Sequence, residues 1–229
     1  MPLSCSQAQE KLQSLKSLKT DFNLAVAKFA ASGKKEDADH ATQIKETFDK
    51  AVKELQNELL RPGEFILKDI PEWDKLPNPE ALKKDFKFDW VWEQEYRTNR
   101  PITDFEIQNK AEASSIAKVF DIEDIIHQKQ QEDPNHKDTL ATTEILEAID
   151  KAGYRPATLE ELLAYSRDHW EPNANPYIYG LNSVFSDAYG LRDVPSLHWI
   201  GGQRKLYAYA FEYVWFARHR FLVLRKSSS

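Results

Sequence analysis

The sequence predicts an α+β protein with an N-terminal antiparallel helical hairpin, a mixed middle segment and a small C-terminal domain with a twisted antiparallel sheet. Three observations predict it. Up to Leu60, apolar residues recur at steps of three and four. Prolines and isolated aromatics then break the helical period. After Pro176, short runs rich in aromatic and branched residues alternate with glycine- and aspartate-bearing turns. The boundaries read as 6–60 for the hairpin and 61–139 for a linker and mixed segment packing on the last domain. Residues 140–226 form the α+β domain.

In the first helix the stripe is Leu15, Leu18, Phe22, Val26 and Phe29, and in the second it is Ala41, Ile44, Phe48, Ala51, Leu55 and Leu59. Polar Ala31–Asp39, with Gly33, separates them. A hairpin with a short coiled-coil-like seam is the simplest object this pattern makes. So short a seam is marginal alone, which makes a homo-oligomer through the hairpin an expectation.

Arg61-Pro62-Gly63 stops the second helix. Pro71, Pro77 and Pro79 read as a linker anchored by Trp73. Phe86, Phe88, Trp90 and Trp92 alternate as a strand would, and Tyr96 follows them. Thr103–Gln130 reads as helix in two pieces, with Ile116, Val119 and Phe120 turned inward. Asp121, Glu123 and Asp124 read as a solvated helical turn, since no histidine stands among them at ligand spacing. Thr142–Ala152 is amphipathic through Ile145, Leu146 and Ile149, and Gly153 sits at a natural C′ position.

The C-terminal third carries the organising pattern. Pro156 biases Arg155 away from helix, so Thr158 becomes the N-cap, with Glu161 at capping-box distance. Glu160 and Glu161 then read as first-turn carboxylates at the positive end of the helix dipole rather than as an acid/base pair. The helix should run to about Arg167. Four runs read as strands: Tyr177–Phe185, Val194–Ile200, Lys205–Trp215 and Arg218–Arg225. In the third, Tyr207, Tyr209, Phe211, Tyr213 and Trp215 share one face, and Ala208 lies on the other, where a helix could cover it.

Net charge is −6 with a pI near 5.6, so no global attraction to nucleic acid is indicated. A local basic cluster remains in Arg204, Lys205, Arg218, Arg220, Arg225 and Lys226. Single-stranded nucleic-acid binding by this aromatic, basic terminus is therefore an alternative function. Cys5 is the single cysteine, so no internal disulfide or thiolate metal cage forms. That fits a reducing cytoplasm, which is the expected location. No apolar run reaches membrane-spanning length. Phosphate loops, G-x-S-x-G elbows and H-E-x-x-H helices are missing from the sequence.

Ala152-Gly153-Tyr154-Arg155-Pro156-Ala157-Thr158-Leu159-Glu160-Glu161-Leu162-Leu163 is followed by Leu181-Asn182-Ser183-Val184-Phe185 and closed by Arg220-Phe221-Leu222-Val223-Leu224-Arg225. This series resembles proteins of small-genome candidate-phylum bacteria. It is also similar in layout to C-type-lectin-like domains of the sulfatase-modifying-factor type. The resemblance spans Thr142–Lys226 and implies a C-type-lectin-like fold for the last domain. Leu162 stands where that family has tryptophan, and Ala157 is inserted before the threonine. The reactive cysteine pair of formylglycine-forming members has no counterpart here, and His169, His198 and His219 are scattered. Glu171-Pro172-Asn173 spells a lectin calcium triplet but directly follows the capped helix, so it reads as a turn.

The function expected from this reading is a non-catalytic binding module for a protein or small ligand. Tyr189, Trp199, Tyr207 and Tyr209 are its candidate binding residues, because their amphipathic rings both bury area and hydrogen-bond. No catalytic residue, metal ligand or cofactor is assigned. A metal-dependent enzyme of the modifying-factor type is the other alternative.

Overall fold

The computed structural model describes residues 5–73, 75–91, 114–186 and 190–226. Trp92, Tyr96, Tyr189 and the start of the helix expected from Thr103 lie outside them. The chain divides after Gly63 into two compact units.

The first unit is the expected hairpin, α1 (Cys5–Ser32) and α2 (Lys35–Leu59). The break is shorter than the polar stretch suggests. Ser32 ends one helix and Lys35 starts the next, because Gly33 takes a left-handed φ of 63° that closes the turn. Among the described side chains Ala25, Ala41 and Leu55 are the buried seam positions, and Leu59 lies outside them. Val26 and Phe29, expected inside the seam, are 42% and 39% exposed, and Leu24 is 70% exposed. Two helices meet along one line, so residues at the edges of a wide apolar stripe stay wet.

The second unit is a three-layer α+β arrangement around one large mixed sheet. Its strands are β1 (Glu64–Lys68), β2 (Trp90–Val91), β3 (Ser114–Asp121), β5 (Tyr154–Pro156), β6 (Tyr177–Tyr179), β7 (Phe185–Ser186), β8 (Arg192–Ile200), β9 (Gln203–Ala210) and β11 (Arg220–Arg225). Their order is β1-β3-β11-β6-β8-β9-β2, with β5 also pairing β11 and β7 also pairing β8. A separate ribbon joins β4 (Thr139–Ala141) to β10 (Val214–Phe216). The sheet is mixed rather than antiparallel, because β6 runs parallel to β11 and β2 parallel to β9.

Both sheet faces are covered. One carries α3 (Pro79–Phe86) and α6 (Leu159–Asp168) over Leu67, Ala117, Ile178, Leu197, Leu206, Ala208, Leu222 and Leu224. The other carries α4 (Glu123–Glu132) and α5 (Thr142–Lys151) over Tyr179, Val194, Phe221 and Val223. Strand β11 feeds both cores with alternate residues, so Phe221-Leu222-Val223-Leu224 is buried without interruption.

Several expectations need correction. The linker around Pro77 and Pro79 holds helix α3, so Phe86 is helical, and among the described residues of the expected strand Trp90–Val91 is extended. Asn78 caps that helix by accepting from the Ala81 amide at 2.9 Å, and Pro79 occupies its first turn. Ser114–Asp121 is a strand, not a helix. Ile116, Val119 and Phe120 match helical spacing, yet Val119 and Phe120 face opposite cores across the sheet. Pairing on both sides, with β1 and β11, overrides local propensity here. The Tyr177–Phe185 run is two short strands broken at Gly180, where a Cβ would lie 3.1 Å from the Ala157 carbonyl oxygen. Lys205–Trp215 is likewise two strands with a turn at Phe211–Glu212.

The capped helix forms as expected. Thr158 Oγ1 accepts from the Glu161 amide at 3.4 Å, and the Glu161 carboxylate accepts from the Thr158 amide at 2.8 Å. Arg155 donates to both Glu161 oxygens, at 2.9 and 2.6 Å. Gly153 ends α5 with a φ of 84°, in keeping with its C′ position.

Candidate functional site

On the α5-covered face, side chains two residues apart along neighbouring strands line up. Tyr177 and Tyr179 come from β6, Ser196 and His198 from β8, and Lys205, Tyr207 and Tyr209 from β9. The register pairs Tyr177 with His198, Ser196 with Tyr207, and His198 with Lys205. The chain after β9 turns back over the same face. Phe211 and Trp215 therefore join this core, although no single strand carries all five aromatics. Trp215 is held by its indole N–H donating 2.8 Å to Thr142 Oγ1, and that hydroxyl donates to the Phe211 carbonyl.

Two histidines meet in this nest of rings. His198 has ring centroids of Tyr207 at 4.9 Å, Tyr177 at 5.2 Å and Tyr179 at 5.8 Å. His219, in the turn before β11, has Tyr179 at 5.3 Å and Trp215 at 5.6 Å. Both imidazoles are buried, 8% and 3% exposed. Burial pushes both down to about 4, helped by the second imidazole at His198 and by Arg218 and Arg220 at His219. Both rings are therefore neutral at pH 7. The Phe216 amide donates to His219 Nδ1 at 3.0 Å, which leaves the His219 proton on Nε2. His198 Nε2 is buried with no hydrogen-bond partner. Burial holds the Tyr179 and Tyr209 phenols protonated, well above the ordinary phenol range.

The expected binding residues divide across the sheet. Tyr207 and Tyr209 are half-buried members of this nest. Trp199 is one step from His198 along β8 and packs against the opposite core. Tyr189 lies outside the described residues. Tyr177, Tyr179, His198 and His219 complete the nest. His198 and His219, scattered in sequence, pack against the same rings of Tyr177, Tyr179 and Tyr209, because β8 and β11 flank β6. His169 stays apart, its Nε2 at 3.1 Å from the Ile66 carbonyl oxygen and its ring against Phe65.

Other candidates resolve differently. Among the described residues no group of three or more His, Cys, Asp or Glu could hold a metal. Glu171–Asn173 forms a turn closed by the Asn175 amide donating to the Glu171 carbonyl at 2.9 Å. Glu161 serves the cap, whereas Glu160 is buried with Oε2 unpartnered and its carboxyl pushed up by burial. The basic cluster is largely engaged internally. Arg204 donates to the Ser166 carbonyl, Arg220 pairs with Asp121, Arg225 with Glu64 and Lys226 with Asp150. Arg218 is exposed, and neither it nor Lys205 has an ion pair among the described residues. No helix among the described residues is long and apolar enough to cross a membrane.

No family model matches this chain, and neither a curated protein nor a solved structure is detectably similar to it.

Proposed function

We propose that the chain is a binding module whose ligand seat is the tyrosine–histidine nest on the β6–β8–β9 face. The observation that carries this is His198 Nε2, a buried polar atom without a partner among tyrosine rings. Such an atom costs stability unless something bonds to it, so it marks a place where a ligand group is accommodated. Half-buried Tyr177, Tyr207 and Tyr209 supply ring area and hydroxyls at the margin. Binding is favoured over bond-making by the state of these groups. No hydroxyl among the described residues hydrogen-bonds either imidazole, the phenols stay protonated, and the nearby Ser196 hydroxyl donates to the Tyr207 carbonyl oxygen at 3.2 Å. A C-type-lectin-like layout for residues 142–226 is part of the proposal. It is supported by the capped helix, the short strands after it and the closing strand with Arg220 and Arg225.

The test is a screen of the full chain against glycan, peptide and small-molecule libraries, repeated with Tyr207→Ala, His198→Gln and Trp199→Ala. The first two should lose affinity for the ligand found, and the third, on the opposite face, should keep it. Undiminished affinity in Tyr207→Ala and His198→Gln, with the fold intact by circular dichroism, rejects this seat.

A further inference from the structure

We propose that this seat takes an organic oxyanion, and that binding draws a proton onto the His198–His219 pair. The proposal rests on reading the nest as a ligand seat and adds the charge of its occupant.

Cations surround the nest: Lys205 beside His198 across the β8–β9 ladder, and Arg218 and Arg220 on either side of His219. Arg220 is committed to Asp121 at 2.9 Å, with Glu123 beyond at 3.9 Å. Glu212, the carboxylate on the β9–β10 turn, is taken by Arg192. Arg218 and Lys205 have no carboxylate partner among the described residues, and Arg218 lies over the Phe216 ring at 5.3 Å. An anion entering here meets uncompensated positive charge at the rim, which both attracts and retains it.

The lining of the nest points the same way. His219 presents an Nε2 proton and the Tyr179 phenol remains protonated, while the Tyr209 hydroxyl is engaged with Tyr213. The first two are donors, as an oxyanion requires. A quaternary ammonium held by ring faces is the competing occupant. The rings do not offer it free faces. Tyr177 meets His198 at 84°, Tyr179 meets His219 at 88° and Trp215 meets His219 at 89°, so the edge of one ring already sits over the face of another. Arg218 would also repel a cation.

Proton uptake follows from linkage. Burial and neighbouring cations keep the imidazoles neutral in the free protein. An anion beside them favours the imidazolium, so protonated protein binds more tightly. The charged groups nearest the pair are Lys205, Arg218 and Arg220, with Asp121, Glu123 and Glu212 beyond them.

The experiment is calorimetry on the full chain with five probes: benzenesulfonate, phenyl phosphate, benzoate, phenol and benzyltrimethylammonium. Benzenesulfonate keeps one charge across the range, so any pH slope belongs to the protein. Its Kd should tighten by up to about tenfold per pH unit from pH 8 to 5, with proton uptake seen as buffer-dependent heat. Phenyl phosphate against benzoate distinguishes a phosphoryl from a carboxylate ligand. Arg218→Gln, at an exposed position, should weaken all three anions about tenfold and leave phenol unchanged. His198→Gln should flatten the pH slope. Preference for benzyltrimethylammonium or phenol, abolished by Tyr207→Ala, overturns the charge assignment while the seat stands. Anion binding without a pH slope overturns the proton coupling. Failure of every anion to bind below about 10 mM overturns the proposal. The seat itself then falls only if Tyr207→Ala also leaves the library ligand bound.

Discussion

Acid should destabilise the second unit through two imidazoles, and the size of the effect can be worked out. His198 and His219 move from an ordinary 6.5 in the unfolded chain to about 4 in the fold. Burial is the larger cause for each, so the fold favours the neutral ring. The sign is therefore fixed. Above pH 6.5 both states are neutral and the full stability is present. As pH falls the unfolded chain takes up protons first, and stability is lost until the folded rings titrate near 4. Between pH 7 and 5 each ring gives up about 2 kcal/mol, so the pair gives up about 4 kcal/mol if they act independently. That is a large share of the roughly 5–15 kcal/mol by which domains are stable. Urea unfolding, followed by tryptophan fluorescence from pH 8 to 5, measures it. The comparison is His198→Gln with His219→Asn, whose amide oxygen can still accept from the Phe216 amide. The double variant should lose about 4 kcal/mol less than the parent over that range. Equal slopes in the two proteins would refute the claim that these rings are buried and neutral.

Removing the capping carboxylate in Glu161→Ala frees the buried Thr158 amide and the Arg155 fork; a loss of about 1–3 kcal/mol in urea unfolding is expected, larger than for Thr158→Ala, whose bond is long. Glu64, fully buried at its side chain, accepts from Tyr154 Oη at 2.7 Å and Arg225 Nε at 3.0 Å, tying β1 to β5 and β11. Arg225→Met should therefore cost about 3–5 kcal/mol, part of it recovered by adding Glu64→Gln; a loss under about 1 kcal/mol would count against this tie. Leu24 and Phe29 are exposed on the hairpin, and self-association through them is the expectation to test. Sedimentation should show the full chain losing mass in Leu24→Glu with Phe29→Glu, and an unchanged monomeric mass in both proteins would remove self-association.

What could be read without coordinates is what neighbouring residues decide together. The Thr158/Glu161 cap, the glycine stop at Gly153 and the two-helix period before Leu60 all depend on spacings of a few positions, and all three form. Asn78-Pro79-Glu80 carried the same kind of signal for α3 and was masked by the prolines around it. Strand β3 was not legible, because its residues satisfy a helical spacing and only pairing with β1 and β11 selects the extended form. The nest is the plainest case. His198 and Tyr207 are joined by the local Gly201-Gly202 hairpin, but Tyr177 and His219 come from segments whose neighbours nothing local specifies. The composition determined that aromatic rings and lone histidines were present. The order β11-β6-β8-β9 decided that they meet, since strands spaced by sheet hydrogen bonds bring alternate side chains within ring contact whatever their separation in sequence.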